Sequence, residues 1–339
     1  MNRDAVKAEQ VTEGEASSRE AAVSELVKGQ MAPEVRPDKR FSVTAAMRDQ
    51  VTIVIPTLNE EGCIGKVISE LHQRGYRKIL VVDGHSRDKT REVALESDAE
   101  VILQHGQGKS GALATGFEVV TTPLAIVMDG DGTYDPDVLD EMCRLGSRYD
   151  FVKGERRTDV HMSRVHRFGN FVLTSTFNLL FGTSIPDVCS GMYAIRSSLA
   201  RTLNLGAYPS TPDQEILAQV VLHTAEVTSV PVNYRKRFAG SSRFSTWRQG
   251  LKNLWTNFGL ARRYNPVLLF SFLSALVIIP ATVVLGAAAY LYLAMGQFHG
   301  GYVLGSLMLY VIGLQGLVLA TIDALLKRTE RRIVSARTT

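Results

Sequence analysis

Two long apolar stretches near the C-terminus constrain the fold of this chain more than any other feature of its sequence. They run from Val267 to Met295 and from Tyr302 to Leu326, and each exceeds the ~20 residues that a helix needs to cross a bilayer. Neither stretch has the polar face that a helix in the core of a soluble domain carries. The sequence therefore predicts a transmembrane hairpin over residues 266–326.

Basic residues flank this hairpin but are absent from its loop. Residues 296–301 contain no Lys or Arg, whereas Arg262 and Arg263 precede the first span and a basic tail over residues 327–339 follows the second. Positive charge favours the cytoplasmic side of a membrane, and the N-terminus has no apolar segment typical of a secretory signal. We therefore expect a multi-pass protein of the cell membrane with two spans, whose large domain and basic tail are cytoplasmic.

Between residues 49 and 243 the chain alternates apolar strand patterns with helical ones. This alternation predicts an α/β domain with a mostly parallel sheet and right-handed crossovers. In its first half the expected strands are Val51–Pro56, Ile79–Asp83, Val101–Leu103 and Leu124–Met128, and the expected helices are Gly62–Gln73, Lys89–Ser97 and Ser110–Val120. In its second half the alternation loosens, and we expect helices Arg164–Leu180 and Gln214–Leu222 and strands Met192–Ile195 and Thr228–Tyr234.

The segments on either side of this domain differ in composition. Residues 1–48 are rich in Glu, Ala, Ser, Lys and Arg and poor in aromatic residues, which is typical of a disordered tail. Residues 244–265 place Trp247, Leu251 and Trp255 among basic residues at helical spacing. This pattern indicates an amphipathic helix in the interface of a lipid bilayer. An ordinary core-facing helix is the alternative, and the two tryptophans and the adjacent spans favour the interface.

Overall charge and cysteine content exclude several classes of function. The formal net charge is +4, and no basic helix of the kind that binds nucleic acid stands out, so we expect no nucleic-acid partner. Three scattered cysteines are too few for a disulfide framework or a thiolate metal site. A membrane surface or a phosphorylated substrate suits this charge better.

Asp129 and Asp131 follow a short apolar strand, and glycines bracket them. Strand ends are where open α/β sheets bind ligands, and glycines allow the backbone to turn until both carboxylates reach one cation. Oxygen ligands favour Mg²⁺ or Mn²⁺ shared with a diphosphate. A turn in which the aspartates accept hydrogen bonds from their own backbone explains the pattern equally well.

Polar residues also follow the three earlier strands. Pro56 ends the first strand and Asn59 and Glu60 follow it, and these residues would contact a base or ribose. Asp83 ends the second strand and offers a carboxylate to a nucleobase or ribose, while Lys109 lies in a Gly-rich loop that opens a helix and suits phosphate. Neither the P-loop spacing nor the dinucleotide-binding glycine pattern is present. Together these loops predict a site for a nucleoside diphosphate.

The chain from Val51 to Arg243 resembles glycosyltransferase family 2, in particular the enzymes that glycosylate dolichyl or polyprenyl phosphate. The resemblance rests on seven ordered motifs: Pro56 to Glu61, Val81 to Asp83, the Lys109 loop, Asp129 to Asp131, Gly154 to Arg156, Asp187 to Met192 and Arg237 to Arg243. It implies a Rossmann-like GT-A fold over residues 49–243. It also implies that Asp83 contacts the base, that Asp129 and Asp131 bind Mg²⁺ or Mn²⁺, and that Arg156 and Arg237 lie around the phosphates.

The acceptor implied by this resemblance is a lipid monophosphate. Its second pKa of about 6 makes it a nucleophile at neutral pH, so we expect single displacement with inversion and no dedicated base. Arg164, Ser242 and Arg243 are candidates for binding the acceptor phosphate. Asp187 would act as a weak base or an orienting group, and a structural role as a loop cap is an equal alternative.

Two departures from the family pattern bear on the donor and the metal. Gly84 stands where mannosyl-transferring relatives often have a second aspartate, which favours a UDP-hexose or UDP-N-acetylhexosamine over GDP-mannose. Thr133 stands where such relatives have glutamine, so water would supply a third metal ligand. The resulting function is transfer of one sugar to dolichyl or polyprenyl phosphate for protein or cell-surface glycosylation.

Two other functions fit the same residues. A sugar nucleotidyltransferase would also use a Gly-rich loop, a basic residue and paired aspartates, and a membrane-tethered protein could bind nucleotide sugar without turnover. The nature of the product distinguishes these alternatives. The sequence leaves the oligomeric state open, a homo-oligomer included.

Overall fold

The computed structural model describes residues 43–157, 164–208, 211–223, 226–239 and 246–337. The predicted tail therefore lies outside the described residues up to position 42. Its last residues include a short helix, α1 (Ala45–Arg48), preceded by the buried Val43. The Arg48 guanidinium pairs with Asp140 at 2.6 Å, so the folded domain begins about six residues before the sequence-based boundary at residue 49.

Seven strands form one sheet, and eleven α-helices precede, connect or follow them in the described part of the chain. The strands are β1 (Val51–Thr57), β2 (Ile79–Asp83), β3 (Glu100–Leu103), β4 (Leu124–Val127), β5 (Phe151–Arg157), β6 (Tyr193–Arg196) and β7 (Val227–Asn233). The helices after α1 are α2 (Ile64–Gln73), α3 (Thr90–Glu96), α4 (Gly108–Val119), α5 (Leu139–Gly146), α6 (Arg164–Phe181), α7 (Ser197–Ala200), α8 (Pro212–Leu222), α9 (Thr246–Tyr264), α10 (Pro266–Met295) and α11 (Gly300–Arg337).

The sheet has the order β3-β2-β1-β4-β6-β5-β7, and β6 is antiparallel to both of its neighbours. The predicted mostly parallel sheet is therefore confirmed. β1 pairs in parallel with β2 on one side and with β4 on the other. The strand order reverses at this point, and the carboxyl ends of β1, β2 and β4 meet at one edge, where open α/β sheets bind ligands.

Helix periodicity explains how the helices cover the sheet. In α2 the buried residues are Ile64, Val67, Ile68 and Leu71, which share one face because they are three or four positions apart. In α4 Gly116 brings the helix close to the sheet, since a Cβ at this position would lie 2.9 Å from Val54 Cγ1 and 3.2 Å from Val82 Cγ2. Both helices thus pack against apolar side chains of β1 and β2.

Among the elements of the α/β domain that are not predicted from the sequence are β5 and α5. β5 contains Lys153, Glu155 and two arginines, and this polar content hides its strand pattern. α5 is only eight residues long, which is shorter than the window in which helical periodicity is reliable. β5 matters for the site, because it carries Arg156 and Lys153.

The chain divides into two compact units, of which the first comprises Met1–Leu179 and Thr183–Thr256 and the second Leu180–Gly182 and Asn257–Thr339. In the second unit, Pro266–Met295 and Gly300–Ile322 are long and apolar enough to cross a membrane. The hydroxyls of Thr282 and Tyr310 lie 2.6 Å apart and link the two helices. Many large apolar side chains on these helices are exposed, which agrees with the predicted hairpin.

A matched pair of glycine substitutions tests the packing of α4 on the sheet. We expect Gly116→Ala to lower the free energy of unfolding by about 1 to 2 kcal/mol, because the new methyl group clashes with two stiff valines. Gly169→Ala in α6 adds the same methyl group where nothing lies within 4 Å, and we expect a gain of up to about 1 kcal/mol from helix propensity. Denaturation of the full chain in detergent micelles, followed by circular dichroism, measures both. Equal effects would contradict this packing.

Candidate functional site

The loops at the carboxyl ends of β1, β2 and β4 bring most of the predicted site residues to one edge of the sheet. Thr57 at the end of β1 is paired with Asp83 at the end of β2. Asp129 and Asp131 follow β4, which pairs with the other side of β1. Lys109 lies in the first turn of α4 and contacts Asp129. The parallel register therefore assembles residues that are far apart in the sequence.

Asp83 is fully buried and has one carboxylate oxygen to spare. Its Oδ2 accepts a hydrogen bond from the Ser86 backbone N–H at 2.8 Å and lies 4.0 Å from Arg91 Nε. Its Oδ1 is buried without a hydrogen-bond partner among the described residues. A buried acceptor without a partner costs free energy, so this atom is suited to accept a hydrogen bond from a ligand's N–H or hydroxyl.

Asn59 and Glu60 lie at the mouth of the sheet, as expected, but their side chains hold the protein's own loops. Asn59 has a left-handed backbone with φ of 51°, and its Oδ1 accepts a hydrogen bond from the Arg87 backbone N–H at 2.7 Å. The Glu60 carboxylate accepts hydrogen bonds from the Arg237 guanidinium. Pro56 lies within β1 and is half-buried. The side chains of Asn59 and Glu60 therefore hold neighbouring segments of the protein in place at the mouth of the site.

Lys109 lies between two carboxylates. Its Nζ is 2.8 Å from Asp129 Oδ1 and 3.2 Å from Asp213 Oδ2. Burial alone would lower the pKa of Lys109, but the negative charges of Asp129 and Asp213 outweigh it and raise the pKa well above its ordinary value. Lys109 is therefore a permanently charged ammonium group at the start of a helix, where it suits a phosphate.

The Asp131 carboxylate makes the hydrogen bonds of a turn, which is one interpretation of its sequence, and it also keeps one oxygen available for a metal ion, which is the other. Its Oδ1 accepts hydrogen bonds from the Thr133 backbone N–H at 3.1 Å and from the Thr133 hydroxyl at 2.7 Å. Its Oδ2 lies 3.7 Å from Arg237 Nη1. Gly132, which lies between Asp131 and Thr133 in the sequence, has a φ of 78°, and a Cβ at this position would collide with the Phe238 ring. The turn thus fixes the Asp131 carboxylate without using both of its oxygens.

The carboxylates of Asp129 and Asp131 suit a divalent cation that is only partly held by protein. Among the residues that the structure describes, no group of three or more His, Cys, Asp or Glu side chains is placed to hold a metal ion. Two carboxylates, with the remaining positions left to water and phosphate oxygens, is the ligand set that Mg²⁺ prefers at nucleotide sites. The residues present therefore fit the predicted cation, provided that a diphosphate shares it.

Arg156 and Asp187 form a buried ion pair. Arg156 Nε is 2.7 Å and Nη2 3.0 Å from the two Asp187 oxygens, and the side chains are 9% and 10% exposed. Burial alone would raise the pKa of Asp187, but the Arg156 guanidinium outweighs it and lowers the pKa below its ordinary value. Asp187 is therefore an anion that orients Arg156, and its role as a loop cap is also supported, because it accepts from the Cys189 N–H at 3.0 Å.

Four site residues had no predicted role. Asp213 lies in the first turn of α8 and contacts Lys109. Gly191 packs against the site, since a Cβ there would lie 2.8 Å from Asp129 Oδ2 and 2.9 Å from Lys109 Nζ. The Tyr134 hydroxyl accepts a hydrogen bond from Gly191 N–H at 2.6 Å, and the buried Lys153 ammonium donates to Ser190 O at 2.6 Å. The local signals for such a role are the position of Tyr134 next to the Asp131 turn and the position of Gly191 in the motif from Asp187 to Met192.

The side-chain positions of three residues predicted to bind the acceptor phosphate are not described by the structure. Ser242 and Arg243 lie outside the described residues. The backbone of Arg164 begins α6, but the position of its side chain is not described. The assignment of these residues to the acceptor phosphate stays a prediction.

Comparison with known proteins identifies the family. Residues 52–203 match the profile of glycosyl transferase family 2. Glycosyltransferase AglJ from Haloferax volcanii is 33% identical over 198 residues, which are 57% of this chain and 65% of AglJ, just under two thirds of its length. The dolichyl-phosphate hexose transferase of the same organism is 30% identical over 211 residues, which are 60% of this chain and 90% of that protein. The chain therefore belongs to glycosyltransferase family 2, and the predicted family is confirmed.

A solved structure shares the fold. Glucosyl-3-phosphoglycerate synthase from Mycobacterium tuberculosis, crystallised with Mn²⁺, uridine diphosphate and glucosyl-3-phosphoglycerate, matches with a TM-score of 0.52 and 19% identity. The match covers 66% of this chain and 88% of that one. The predicted GT-A fold is thus confirmed.

Removing one partner of the buried ion pair has a predictable dependence on pH. We expect Arg156→Met to lower the free energy of unfolding at pH 7 by about 3 kcal/mol, because it leaves the Asp187 carboxylate buried and unpaired. In the wild type the lowered pKa of Asp187 contributes stability that is present above about pH 3.9 and lost as the pH falls further. In the variant, burial raises this pKa, so the penalty disappears as Asp187 becomes protonated on acidification.

Denaturation of the full chain in micelles at pH 7 and pH 4.5 measures the free energy of unfolding of the wild type and of Arg156→Met. We expect the difference between the two proteins to be smaller at pH 4.5 than at pH 7. The control is Arg74→Met, which removes the partner of Asp137, a side chain that is 69% exposed, and which we expect to cost less than about 1 kcal/mol at either pH. A penalty for Arg156→Met that is the same at both pH values would exclude Asp187 as the responsible charge.

Proposed function

We propose that this protein is a membrane-anchored, inverting glycosyltransferase that moves one sugar from a nucleoside diphosphate sugar to dolichyl or polyprenyl phosphate. The observation that carries the proposal is the grouping of Lys109, Asp129 and Asp131 beside the buried, partly unpaired Asp83 at one edge of the sheet. The name of the dolichyl-phosphate hexose transferase from Haloferax volcanii supports the acceptor. The two apolar helices support a substrate that is itself confined to a membrane.

The donor would bind across the carboxyl ends of β2 and β4. Asp83 Oδ1 accepts a hydrogen bond from the base or ribose, with Pro56, Asn59 and Glu60 lining this side of the site. Lys109 neutralises the diphosphate. Asp129 and Asp131 hold Mg²⁺ or Mn²⁺, which when bound withdraws charge from the departing diphosphate. Gly84 stands where mannosyl-transferring relatives often have a second aspartate, and a Cβ there would come as close as 3.1 Å to Thr57 O. Because that aspartate is missing, we favour a UDP-hexose or UDP-N-acetylhexosamine over GDP-mannose.

The acceptor reacts as an anion. One oxygen of the lipid phosphate attacks the anomeric carbon of the sugar, and the bond from that carbon to the nucleoside diphosphate oxygen breaks, which inverts the configuration. The phosphate is ionised at neutral pH because its second pKa is about 6, so no side chain has to remove a proton. Arg156, oriented by Asp187, and Arg237 hold phosphate oxygens, and Arg164, Ser242 and Arg243 complete the acceptor side. Positioning and charge neutralisation supply the rate enhancement.

Exposed apolar side chains support contact with a membrane surface. In α9 the side chains of Leu251 and Trp255 are 59% and 70% exposed, and Arg262 and Arg263 are also exposed. In α6 Phe168 and Phe171 are 68% and 67% exposed. Aromatic and basic side chains together are typical of helices in the bilayer interface. We assign residues 244–265 to this interface, 266–326 to a hairpin and 327–339 to a cytoplasmic basic tail.

The test is transfer of radiolabelled sugar into organic-extractable lipid by membranes that contain the protein, dolichyl phosphate and Mg²⁺ or Mn²⁺. The donors compared are UDP-glucose, UDP-N-acetylglucosamine and GDP-mannose. We expect lipid label from a uridine donor, and a loss of about 100-fold in Asp131→Asn because the cation is no longer held. Asp137→Asn, which removes an exposed carboxylate of the same region, is expected to retain the wild-type rate.

Other outcomes of this experiment identify the alternatives. Label that appears in a nucleotide sugar when sugar phosphate and nucleoside triphosphate are supplied would make the protein a nucleotidyltransferase. Saturable binding of nucleotide sugar with no labelled product from any donor would leave a binding protein. Either result would overturn the proposed transfer to lipid phosphate.

Gly191 provides a second prediction about the same reaction. We expect Gly191→Ala to lower the rate of sugar transfer by about 100-fold, because the added methyl group displaces the Asp129 carboxylate and the Lys109 ammonium from their positions. Gly169→Ala, in open space, is the control and is expected to keep the wild-type rate. Melting curves of both variants establish that they fold. Wild-type transfer by folded Gly191→Ala would show that this close approach is unimportant.

A further inference from the structure

Asp213 occupies a place in the site that neither the sequence nor the proposed reaction explains. Its two carboxylate oxygens lie 3.2 and 3.4 Å from Lys109 Nζ. The same ammonium group contacts Asp129 Oδ1 at 2.8 Å. The two residues are 104 positions apart and lie in the first turns of α4 and α8. Their contact is therefore a product of the tertiary fold and joins the two halves of the domain.

The backbone of Gly191 limits the positions that Lys109 can adopt. A Cβ on Gly191 would lie 2.9 Å from Lys109 Nζ, so the glycine already closes that side of the ammonium. Gly191 is held by the Tyr134 hydroxyl at 2.6 Å, and the preceding carbonyl, Ser190 O, accepts from the buried Lys153 ammonium at 2.6 Å. Lys109 is thus fixed by two carboxylates and by a backbone segment that is itself anchored.

A single cation between two carboxylates behaves differently from a simple ion pair. If Asp129 were the only partner of Lys109, the pair would be neutral, and each group would be drawn to the other instead of to a ligand. With Asp213 present, the three side chains carry one net negative charge, and an ammonium has three N–H donors to distribute. Lys109 keeps a counter-charge when Asp129 turns to another partner.

We propose that Asp213 is a positioning residue that holds the Lys109 ammonium in place to donate to the diphosphate of the donor. It acts through Lys109, which it prevents from pairing exclusively with Asp129. The inference rests on the proposed function, because it requires that a nucleoside diphosphate binds beside Lys109.

The test measures the affinity of the full chain, in detergent micelles with Mg²⁺, for UDP and for GDP by isothermal titration calorimetry. A positioning role and a simple charge effect predict opposite signs. Removing a negative charge beside an anion site would by itself strengthen binding of the anionic nucleotide. Loss of the positioning contact would instead weaken it, and we expect Asp213→Asn to weaken binding of the preferred nucleotide by about tenfold.

Repeating the measurement in a Lys109→Met variant distinguishes an effect of Asp213 through Lys109 from a direct contact between Asp213 and the nucleotide. In Lys109→Met, where no ammonium remains to be positioned, we expect Asp213→Asn to leave binding unchanged or to strengthen it. Asp213→Glu retains the charge and is expected to restore most of the wild-type affinity. The matched control is Asp137→Asn, which removes an equal charge from a side chain that contacts Arg74. Circular dichroism of each variant verifies folding.

Each outcome decides the proposal. Unchanged or stronger binding by Asp213→Asn in the wild-type background overturns it, and so does an equal weakening in both backgrounds, which would indicate that Asp213 contacts the nucleotide itself. Weakening that is confined to the background with Lys109 supports it. A wild type that binds neither UDP nor GDP would refute the nucleotide site of the proposed function, and the inference would fall with it, whereas failure of the Asp213 variant alone leaves that function intact.

Discussion

The parallel pairing of β1 with both β2 and β4 is the constraint on which the site depends. It places Thr57 beside Asp83 and Val54 beside Val127, so three loops leave the sheet at one edge. A shift of one residue in either register would turn every side chain of the shifted strand to the opposite face. Both faces of β1 and β2 are packed in the core, so such a shift would misplace close-packed side chains on both sides of the sheet. The apolar core thus determines where the charged residues meet.

Loops at this edge are fixed by the protein's own polar contacts. The Asn59 side chain binds the loop after β2, and the Glu60 carboxylate binds Arg237, which lies beyond β7. Thr133 holds the Asp131 carboxylate, and the Phe238 N–H donates to Asp131 O at 3.2 Å. Such contacts hold side chains near the geometry that a ligand requires, which reduces the reorganisation that binding costs.

Much of the fold could be predicted from the sequence, because its main elements have strong periodicity. The apolar strands and the amphipathic α2 follow simple patterns, and the two C-terminal helices are long and apolar enough to cross a membrane. β5 escaped prediction because Lys153 and Arg156 interrupt its apolar pattern, although Lys153 is buried with a backbone carbonyl as its partner. A polar residue that is buried through a tertiary contact gives no local signal.

Site residues that directly follow a strand could be predicted from the sequence. Site residues that come from distant segments of the chain could not. Asp83, Asp129 and Asp131 have positions set by local strand ends. Asp213 lies in a helix whose local pattern gives no indication of Lys109, and the contact exists only because α4 and α8 begin near the same point. Gly191 is similar, since its importance comes from the two side chains that lie against its backbone.

Two cations at the sheet edge each lie between two carboxylates. Lys109 contacts Asp129 and Asp213, and Arg237 contacts Glu60 and Asp131. Each trio carries one net negative charge, so the pair of trios carries a charge of −2, which one divalent cation balances. A nucleoside diphosphate is also an anion, and by itself it is repelled by this charge. On the proposed function, this repulsion implies that the cation would bind before the nucleotide sugar or together with it.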